Sequence, residues 1–311
     1  TVFTSNDIII LTFTPFICYF TRALKINPLP YLLSEFVAAN TWSMMLIIGN
    51  PTNIYLATSQ NISFLNYLQI MFLPTVISSL LAFLILFLIF RPRLKMPIGE
   101  IEEHASNLKN KNLVIIALAH LSVCTILLTI SSYIGFEMWS ICLAFTLSLI
   151  CFLVFYQALL RHQKPQLTLN ALRRAPWGLI PFVLSMFVFV LSFSKYGVTE
   201  AIAGSLNNLD PVFGYGLTSF FMANIINNIP MSVLYSEIIN MAPLRSAVTY
   251  AAIIGSNLGA ILSPIGALAG IMWIRMLKRE GINLSFNSFV KYGLMISLPT
   301  ILLALTVLSR I

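Results

Sequence analysis

Short polar clusters interrupt otherwise apolar stretches of this sequence at four places. They are Ser5-Asn6-Asp7, Gly49-Asn50-Pro51-Thr52-Asn53, Asn224-Ile225-Ile226-Asn227-Asn228-Ile229-Pro230, and Gly255-Ser256-Asn257-Leu258-Gly259 followed by Ser263-Pro264-Ile265-Gly266. Gly and Pro interrupt a helix, and the amide and hydroxyl groups beside them donate and accept hydrogen bonds. Helix ends at such breaks offer N–H groups to anions and carbonyl groups to cations. The clusters therefore predict binding of a small ion or anion.

The overall composition indicates a protein that lives in a bilayer. Hydrophobic residues make up 58% of the 311 residues and charged residues only 9%, whereas a soluble domain carries about 25% charged residues. The net charge is +8, and the basic residues lie in short gaps between apolar runs, as in cytoplasmic loops. This distribution argues against binding of nucleic acid. Phosphate loops, dinucleotide fingerprints, nucleophile elbows and metal-ligand spacings are absent from the sequence. We expect an all-α polytopic protein of the cell membrane, without enzymatic activity, cofactor or metal.

Nine apolar segments alternate with short polar ones, and most are long enough to cross hydrocarbon as a helix. They cover residues 8–21, 36–58, 67–90, 113–132, 136–160, 177–194, 213–239, 247–274 and 289–309. Two charged loops, 91–112 and 161–176, separate some of them.

The order of the polar clusters repeats. Each half of the chain shows a polar tip, then a broken helix, then an unbroken helix, which predicts inverted repeats whose tips meet near the bilayer midplane. Residues 1–90 form the first repeat, which is partial, residues 91–212 the connecting helices and loops, and residues 213–311 the second repeat. The first tip is expected to be half of a hairpin, and 213–239 a whole re-entrant hairpin.

The distribution of Lys and Arg supports this topology. With a re-entrant 213–239, fifteen of the 18 basic residues lie on the cytoplasmic side, and only Lys195, Arg245 and Arg310 lie outside. If 213–239 crosses the membrane once, 11 basic residues lie on the cytoplasmic side and 7 lie outside. The positive-inside rule therefore favours the re-entrant hairpin.

The motifs resemble those of the ion transporter superfamily. Ser5-Asn6-Asp7 with Thr14-Pro15 looks like its first hairpin tip, and Gly49-Asn50-Pro51-Thr52-Asn53 resembles the broken-helix loop that follows. Asn227-Asn228-Ile229-Pro230-Met231 and Asn257-Leu258-Gly259 are similar to the second hairpin and second broken helix of the arsenite-efflux (ArsB/NhaD-type) branch, which is related to divalent anion/sodium symporters.

The resemblance implies a secondary active transporter that moves an inorganic ion or oxyanion, with arsenite-type efflux favoured, driven by an ion or proton gradient. The Gly49–Asn53 loop is closer to the carboxylate and sulfate carriers, so di/tricarboxylate or sulfate symport and sodium/proton antiport stay open. Na⁺ or H⁺ is the expected coupling ion, and membrane lipid surrounds the protein. A homodimer and a separate ATPase subunit stay open. The family fold has helices before the first tip, so we expect an N-terminal part to be missing.

The predicted substrate and ion site comprises the polar residues of the four breaks, expected around one midplane cavity. These residues are Ser5, Asn6, Asp7, Asn50, Thr52, Asn53, Asn227, Asn228 and Asn257. Asp7 is the coupling candidate, because it is the acidic residue inside a polar cluster and intramembrane carboxylates are costly to keep charged. Glu35 lies near a segment end, where we expect contact with water or the membrane interface.

The topology predicts opposite accessibility for two loop positions. In a cysteine-less variant, a new cysteine at Asn208 should react with an impermeant maleimide added outside whole cells, whereas one at Ser106 should react only after permeabilisation. The physical reason is the bias of Lys and Arg toward the cytoplasmic loops. Equal labelling of both positions from outside would contradict the proposed orientation.

Overall fold

The computed structural model describes residues 2–3, 5–94, 111–160, 166–174 and 177–311. Throughout these ranges the chain forms helices, turns and bends, with no β-strand, in agreement with the predicted all-α class. The chain divides into two compact units, one formed by Thr1–Glu102 with Ser185–Ile311 and the other by Glu103–Leu184. The predicted division at residues 90 and 212 stays a prediction.

Four helices precede the first charged loop. They are α1 (Asn6–Ala23), α2 (Leu29–Trp42), α3 (Pro51–Ser59) and α4 (Phe64–Leu94), with a 3₁₀ turn at Ile47–Gly49 between α2 and α3. The predicted segment 36–58 is thus two helices, and the interruption falls at the predicted Gly49 cluster.

The middle of the chain contains five further helices in the described residues. They are α5 (Lys111–Ile134), α6 (Met138–Phe155), α7 (Gln166–Arg174), α8 (Leu179–Lys195) and α9 (Val198–Leu206), and a π-helical turn, Tyr156–Leu160, extends α6. Helix α7 occupies part of the predicted loop 161–176, and α9 was not predicted. Most of the predicted loop 91–112 lies outside the described residues.

The last third of the chain is a hairpin, a broken helix and an unbroken helix. The hairpin comprises α10 (Pro211–Ile226) and α11 (Asn228–Asn240), the broken helix α12 (Arg245–Leu262) and α13 (Leu268–Arg279), and the unbroken helix is α14 (Phe286–Leu308). This is the predicted order of elements. That the hairpin is re-entrant, and that the two halves are inverted, stay predictions.

The larger unit is held together by reciprocal packing between its two halves. Helix α1 packs on α2 and also on α13, while α11 packs on α12 and also on α3. The unbroken helices α4 and α14 pack on each other, and α12 contacts α2. Helices α1 and α11 therefore each contact the broken helices of both halves.

Glycine permits the close approach of α10 and α12. A Cβ atom at Gly255 would meet the Ser219 hydroxyl, the Gly216 carbonyl oxygen and the Phe220 amide nitrogen, the last at 2.9 Å. A Cβ at Gly259 would lie 2.6 Å from the Phe220 carbonyl oxygen. Small residues that let helix backbones approach are typical of packing between membrane helices.

Four described helices are long and apolar enough to cross a membrane. They are Phe64–Leu94, Lys111–Leu128, Trp139–Ala158 and Phe286–Leu308, and Pro211–Ile226 is a shorter apolar helix. Large apolar side chains such as Phe83 and Leu88 of α4 and Leu302 of α14 are exposed. Such surfaces suit contact with lipid.

Candidate functional site

The break between α2 and α3 is built from its own sequence. Pro51 occupies the first turn of α3, where its missing N–H costs nothing. The Asn50 side chain caps α3 by accepting a hydrogen bond from the Thr52 amide at 3.2 Å. Gly49 is required because a Cβ there would collide with the Ser43 backbone carbonyl. The chain can therefore turn back on itself within residues 43–50.

Asn257 of α12 connects this break to the second half of the chain. Its amide nitrogen donates to the Asn53 side-chain oxygen at 2.7 Å. Its side-chain oxygen accepts hydrogen bonds from the Asn50 amide at 2.9 Å and the Ser43 hydroxyl at 2.8 Å. Asn257, Asn53 and Ser43 are fully buried. One amide thus joins the broken helices of both halves.

Further hydrogen bonds complete what we call the central network, formed by Ser43, Asn50, Thr52, Asn53, Ser256 and Asn257. The Ser256 hydroxyl donates to the Thr52 hydroxyl at 3.1 Å. The Asn53 amide donates to the backbone carbonyls of Ser43 at 2.8 Å and Leu46 at 3.3 Å. The side chain of Asn53 therefore satisfies carbonyls that the helix break leaves without an intrahelical partner.

The first tip reaches the central network through Asn40. The Asn6 amide donates to the Asn40 side-chain oxygen at 3.0 Å, and the Ser43 hydroxyl also lies 2.8 Å from the Asn40 backbone carbonyl. The Ser5 hydroxyl is 3.3 Å from the Asn6 side-chain oxygen. Asp7 lies in the first turn of α1 and is half-buried. A negative charge there is favoured by the positive end of the helix dipole.

The second tip forms a separate cluster with the break between α12 and α13. Asn227 has a left-handed φ of 74°, and its amide donates to the Ile265 carbonyl at 3.0 Å. The Asn228 backbone N–H donates to the Gly266 carbonyl at 3.0 Å. Asn224 donates to the Gly259 carbonyl and accepts from the Ser263 hydroxyl at 2.7 Å. We call Asn224, Asn227, Asn228 and Ser263 the second cluster.

The structure thus groups the nine predicted residues in two places. The central network contains four of them, Asn50, Thr52, Asn53 and Asn257. Asn6 is connected to this network through Asn40, and Ser5 and Asp7 lie beside Asn6. Asn227 and Asn228 lie in the second cluster. Within the described ranges, no hydrogen bond joins these two residues to the first tip or the first break. That all nine residues surround one cavity stays a prediction.

Sequence reasoning missed five members of these networks. They are Asn40, Ser43, Asn224, Ser256 and Ser263. Asn224, Ser256 and Ser263 stand within or beside the polar breaks, so their neighbourhood was a usable signal. Asn40 and Ser43 lie before the Gly49 break, and their role depends on α1 and α12 packing against α2.

The chemistry of both groups is that of neutral amides and hydroxyls. Each offers donors and acceptors, and none of their members is Lys or Arg. In the part of the chain that the structure describes, no group of three or more His, Cys, Asp or Glu residues could hold a metal ion. The site therefore suits a small solute that presents hydroxyl groups or oxygen atoms.

Comparison with known proteins identifies relatives along the whole chain. The family model for arsenical pump membrane proteins matches residues 1–310. An arsenical pump membrane protein of Yersinia enterocolitica is 27% identical, over 98% of this chain and 73% of the relative. One from Escherichia coli (strain K12) is 26% identical over the same shares. A Bacillus subtilis (strain 168) protein is 24% identical over 99% of this chain and 75% of its own length.

Removing the Asn257 side chain should destabilise the protein strongly. Asn257→Ala leaves the Asn50 amide and the Asn53 oxygen without their buried partner, while the Ser43 hydroxyl keeps the Asn40 carbonyl. We expect the free energy of unfolding to fall by about 2–4 kcal/mol, because each orphaned buried group costs about 1–3 kcal/mol. Thermal unfolding in detergent, followed by size-exclusion fluorescence, measures the change.

Asn208→Ala is the matched control, because the exposed Asn208 amide donates only within its own helix end, to the Gly204 carbonyl. A loss for Asn257→Ala no larger than that of this control would show that the central network does not stabilise the fold. In a double-mutant cycle with Asn53→Ala, the two effects should be less than additive.

Proposed function

The chain belongs to the ArsB family of arsenical pump membrane proteins, and from this membership we propose that it exports arsenite, or a similar trivalent oxyacid, across the cytoplasmic membrane. It is a multi-pass membrane transporter of that family. The observation that carries the substrate proposal is the buried network of uncharged amide and hydroxyl groups around Asn257.

The absence of positive charge from the network favours a neutral cargo. Arsenous acid is uncharged near neutral pH and carries three hydroxyl groups, which amides can bind as donors and as acceptors. Sulfate and dicarboxylates carry two negative charges, and cations such as Arg or Lys stabilise buried anions beyond what helix N-termini supply. Neither residue type occurs in the central network or in the second cluster. Carboxylate or sulfate uptake and sodium/proton antiport are therefore the alternatives that an assay must test.

Transport is proposed to follow alternating access between inverted repeats. The two tips would enter from opposite sides, and 213–239 would be re-entrant from outside. The reciprocal packing of α1 on α13 and of α11 on α3 supports this, since α1 and α11 each contact both broken helices. Movement of these elements against the α4–α14 pair would expose the network first to one side and then to the other.

Uptake by proteoliposomes containing the purified protein tests the substrate. With an imposed pH gradient we expect accumulation of arsenite, measured as total arsenic, and no accumulation of sulfate or dicarboxylate. Liposomes without protein are the control. Accumulation of sulfate or a dicarboxylate without arsenite would replace the proposal by the symporter alternative. A sodium-driven pH change without arsenite flux would replace it by the antiporter alternative.

Coupling to the gradient is proposed to involve Asp7. A half-buried carboxylate at membrane depth is costly to keep charged, and taking up a proton or a cation lowers that cost. Its place beside Asn6 would connect its charge to the central network through Asn40.

Asp7→Asn keeps the shape of the side chain but cannot ionise. One proton coupled across a pH difference of one unit supports about a tenfold concentration ratio. We expect Asp7→Asn to lower the arsenite ratio about tenfold per pH unit, with the membrane potential clamped. The matched control is Asp210→Asn, since exposed Asp210 only caps α10. A variant that folds and keeps the wild-type ratio and pH dependence would make Asp7 structural.

A further inference from the structure

Glu35 lies in contact with three helices of the larger unit. Its carboxylate on α2 accepts a hydrogen bond from the Thr14 hydroxyl of α1, with oxygen–oxygen distances of 3.0 and 2.9 Å. The indole N–H of Trp273, on α13, lies against the same carboxylate. That N–H is fully buried and has no hydrogen-bond partner in the described residues. The expected contact with water or the membrane interface stays a prediction, because Glu35 is half-buried and lines an open cavity.

Glu35 has no basic partner in the described part of the chain. The sole ion pair there joins Arg22 and Glu280, which are 3.1 Å apart. The titratable groups near Glu35 are Cys18, one turn beyond Thr14 on α1, and Tyr31, one turn earlier on α2. Neither carries a positive charge. From α13, the group that faces Glu35 is the uncharged Trp273.

A cavity of about 520 Å³ opens beside Glu35 between α1 and α2. Its wall is mainly apolar, with Phe13, Phe16 and Phe20 from α1 and Tyr31 and Ser34 from α2. A carboxylate without a counter-charge against such a wall is costly to keep ionised, and protonation removes that cost.

The hydrogen bond between Thr14 and Glu35 is compatible with both protonation states of the carboxyl group. A hydroxyl both donates and accepts, so Thr14 can donate to the ionised carboxylate and accept from the protonated one. The indole N–H can only donate, which favours the ionised state. A hard metal cation would need several oxygen ligands, and Thr14 supplies the one further oxygen that contacts the carboxylate in the described residues. The arrangement therefore selects a proton.

The contact between Glu35 and Thr14 also reaches the central network. Thr14 pairs with Glu35 and Asn6 with Asn40, so α1 and α2 run antiparallel and are fastened at two points. Asn40 in turn contacts Ser43, which binds Asn257. Proton binding at Glu35 therefore changes the contact that holds α1 beside the proposed substrate site.

We propose that Glu35 is a second proton-binding carboxylate of the transport cycle, distinct from Asp7, with Thr14 as its hydrogen-bond partner and the Trp273 indole facing it. The proposal rests on the proposed function for its role in transport, but not for the binding of the proton. In the cycle, a carboxylate oxygen takes a proton from water on one side of the membrane. It returns the proton to water on the other side.

Labelling with dicyclohexylcarbodiimide tests proton binding without any substrate, because this reagent modifies protonated carboxyl groups in apolar surroundings. In the purified wild-type protein we expect mass spectrometry to find modified Glu35, with less modification as the pH rises. Glu280, which is paired with Arg22, is the internal control and should stay unmodified. Absence of modification at Glu35 at every pH, or modification that does not depend on pH, would overturn the proposal.

Arsenite accumulation tests coupling. With two coupled protons, the logarithm of the accumulation ratio should rise with the pH difference with a slope of about two in the wild type. In Glu35→Gln, the slope of this logarithm against the pH difference should be about one. In the double variant that combines Asp7→Asn and Glu35→Gln, the slope should be about zero. Glu280→Gln is the matched control and should keep the wild-type slope. A wild-type slope in a folded Glu35→Gln would overturn the role in transport. If the wild type does not transport arsenite, the proposed function fails, and pH-dependent labelling still decides proton binding at Glu35.

Discussion

A helix that stops inside a bilayer leaves carbonyl and N–H groups that lipid cannot satisfy, and this constraint governs the larger unit. Asparagine side chains meet it at each break. Asn53 donates to the carbonyls of Ser43 and Leu46, and Asn227 donates to that of Ile265. The amides that satisfy the backbone also bind one another, so the groups that make the breaks stable form the polar interior of the protein.

The use of asparagine side chains at the helix breaks explains why the proposed site is polar but uncharged. An amide can satisfy a carbonyl with its N–H and still accept from a neighbour with its oxygen, as Asn257 does between Ile253, Asn53, Asn50 and Ser43. A charged residue at the same place would need a buried partner of opposite sign. Charge is instead found beside the network, at Asp7 and Glu35. Substrate binding and the response to a gradient can therefore involve different residues of the same helices.

The reciprocal packing of the two halves gives this arrangement a mechanical consequence. Helix α1 touches the second broken helix through α13, and α11 touches the first through α3. The close approach of α10 and α12 depends on Gly255 and Gly259, where side chains would collide with backbone atoms. In the proposed transport cycle, a shift of α1 or α11 would therefore move both broken helices, because closely packed interfaces do not deform gradually.

The sequence by itself determined where the helices break and which residues line the breaks. Gly49, Pro51 and Asn227 have local backbone requirements that act wherever the chain is placed. Asn50, Thr52 and Asn53 stand directly beside such positions, whereas Asn257 lies inside the continuous helix α12. The membrane class followed equally from composition. Local signals did not reveal helices α7 and α9, which lie in stretches that were read as polar connections.

Tertiary structure alone decided which of these groups meet. The position of Glu35 near the end of an apolar segment predicted water or the membrane interface but named no partner for it. Its neighbours Thr14 and Trp273 come from α1 and α13, which are separated from it along the chain. Ser43 and Asn40 likewise gained their roles from Asn257 and Asn6. Hydrogen bonds between distant segments depend on how whole helices pack, and the spacing of residues within one segment carries no record of that packing.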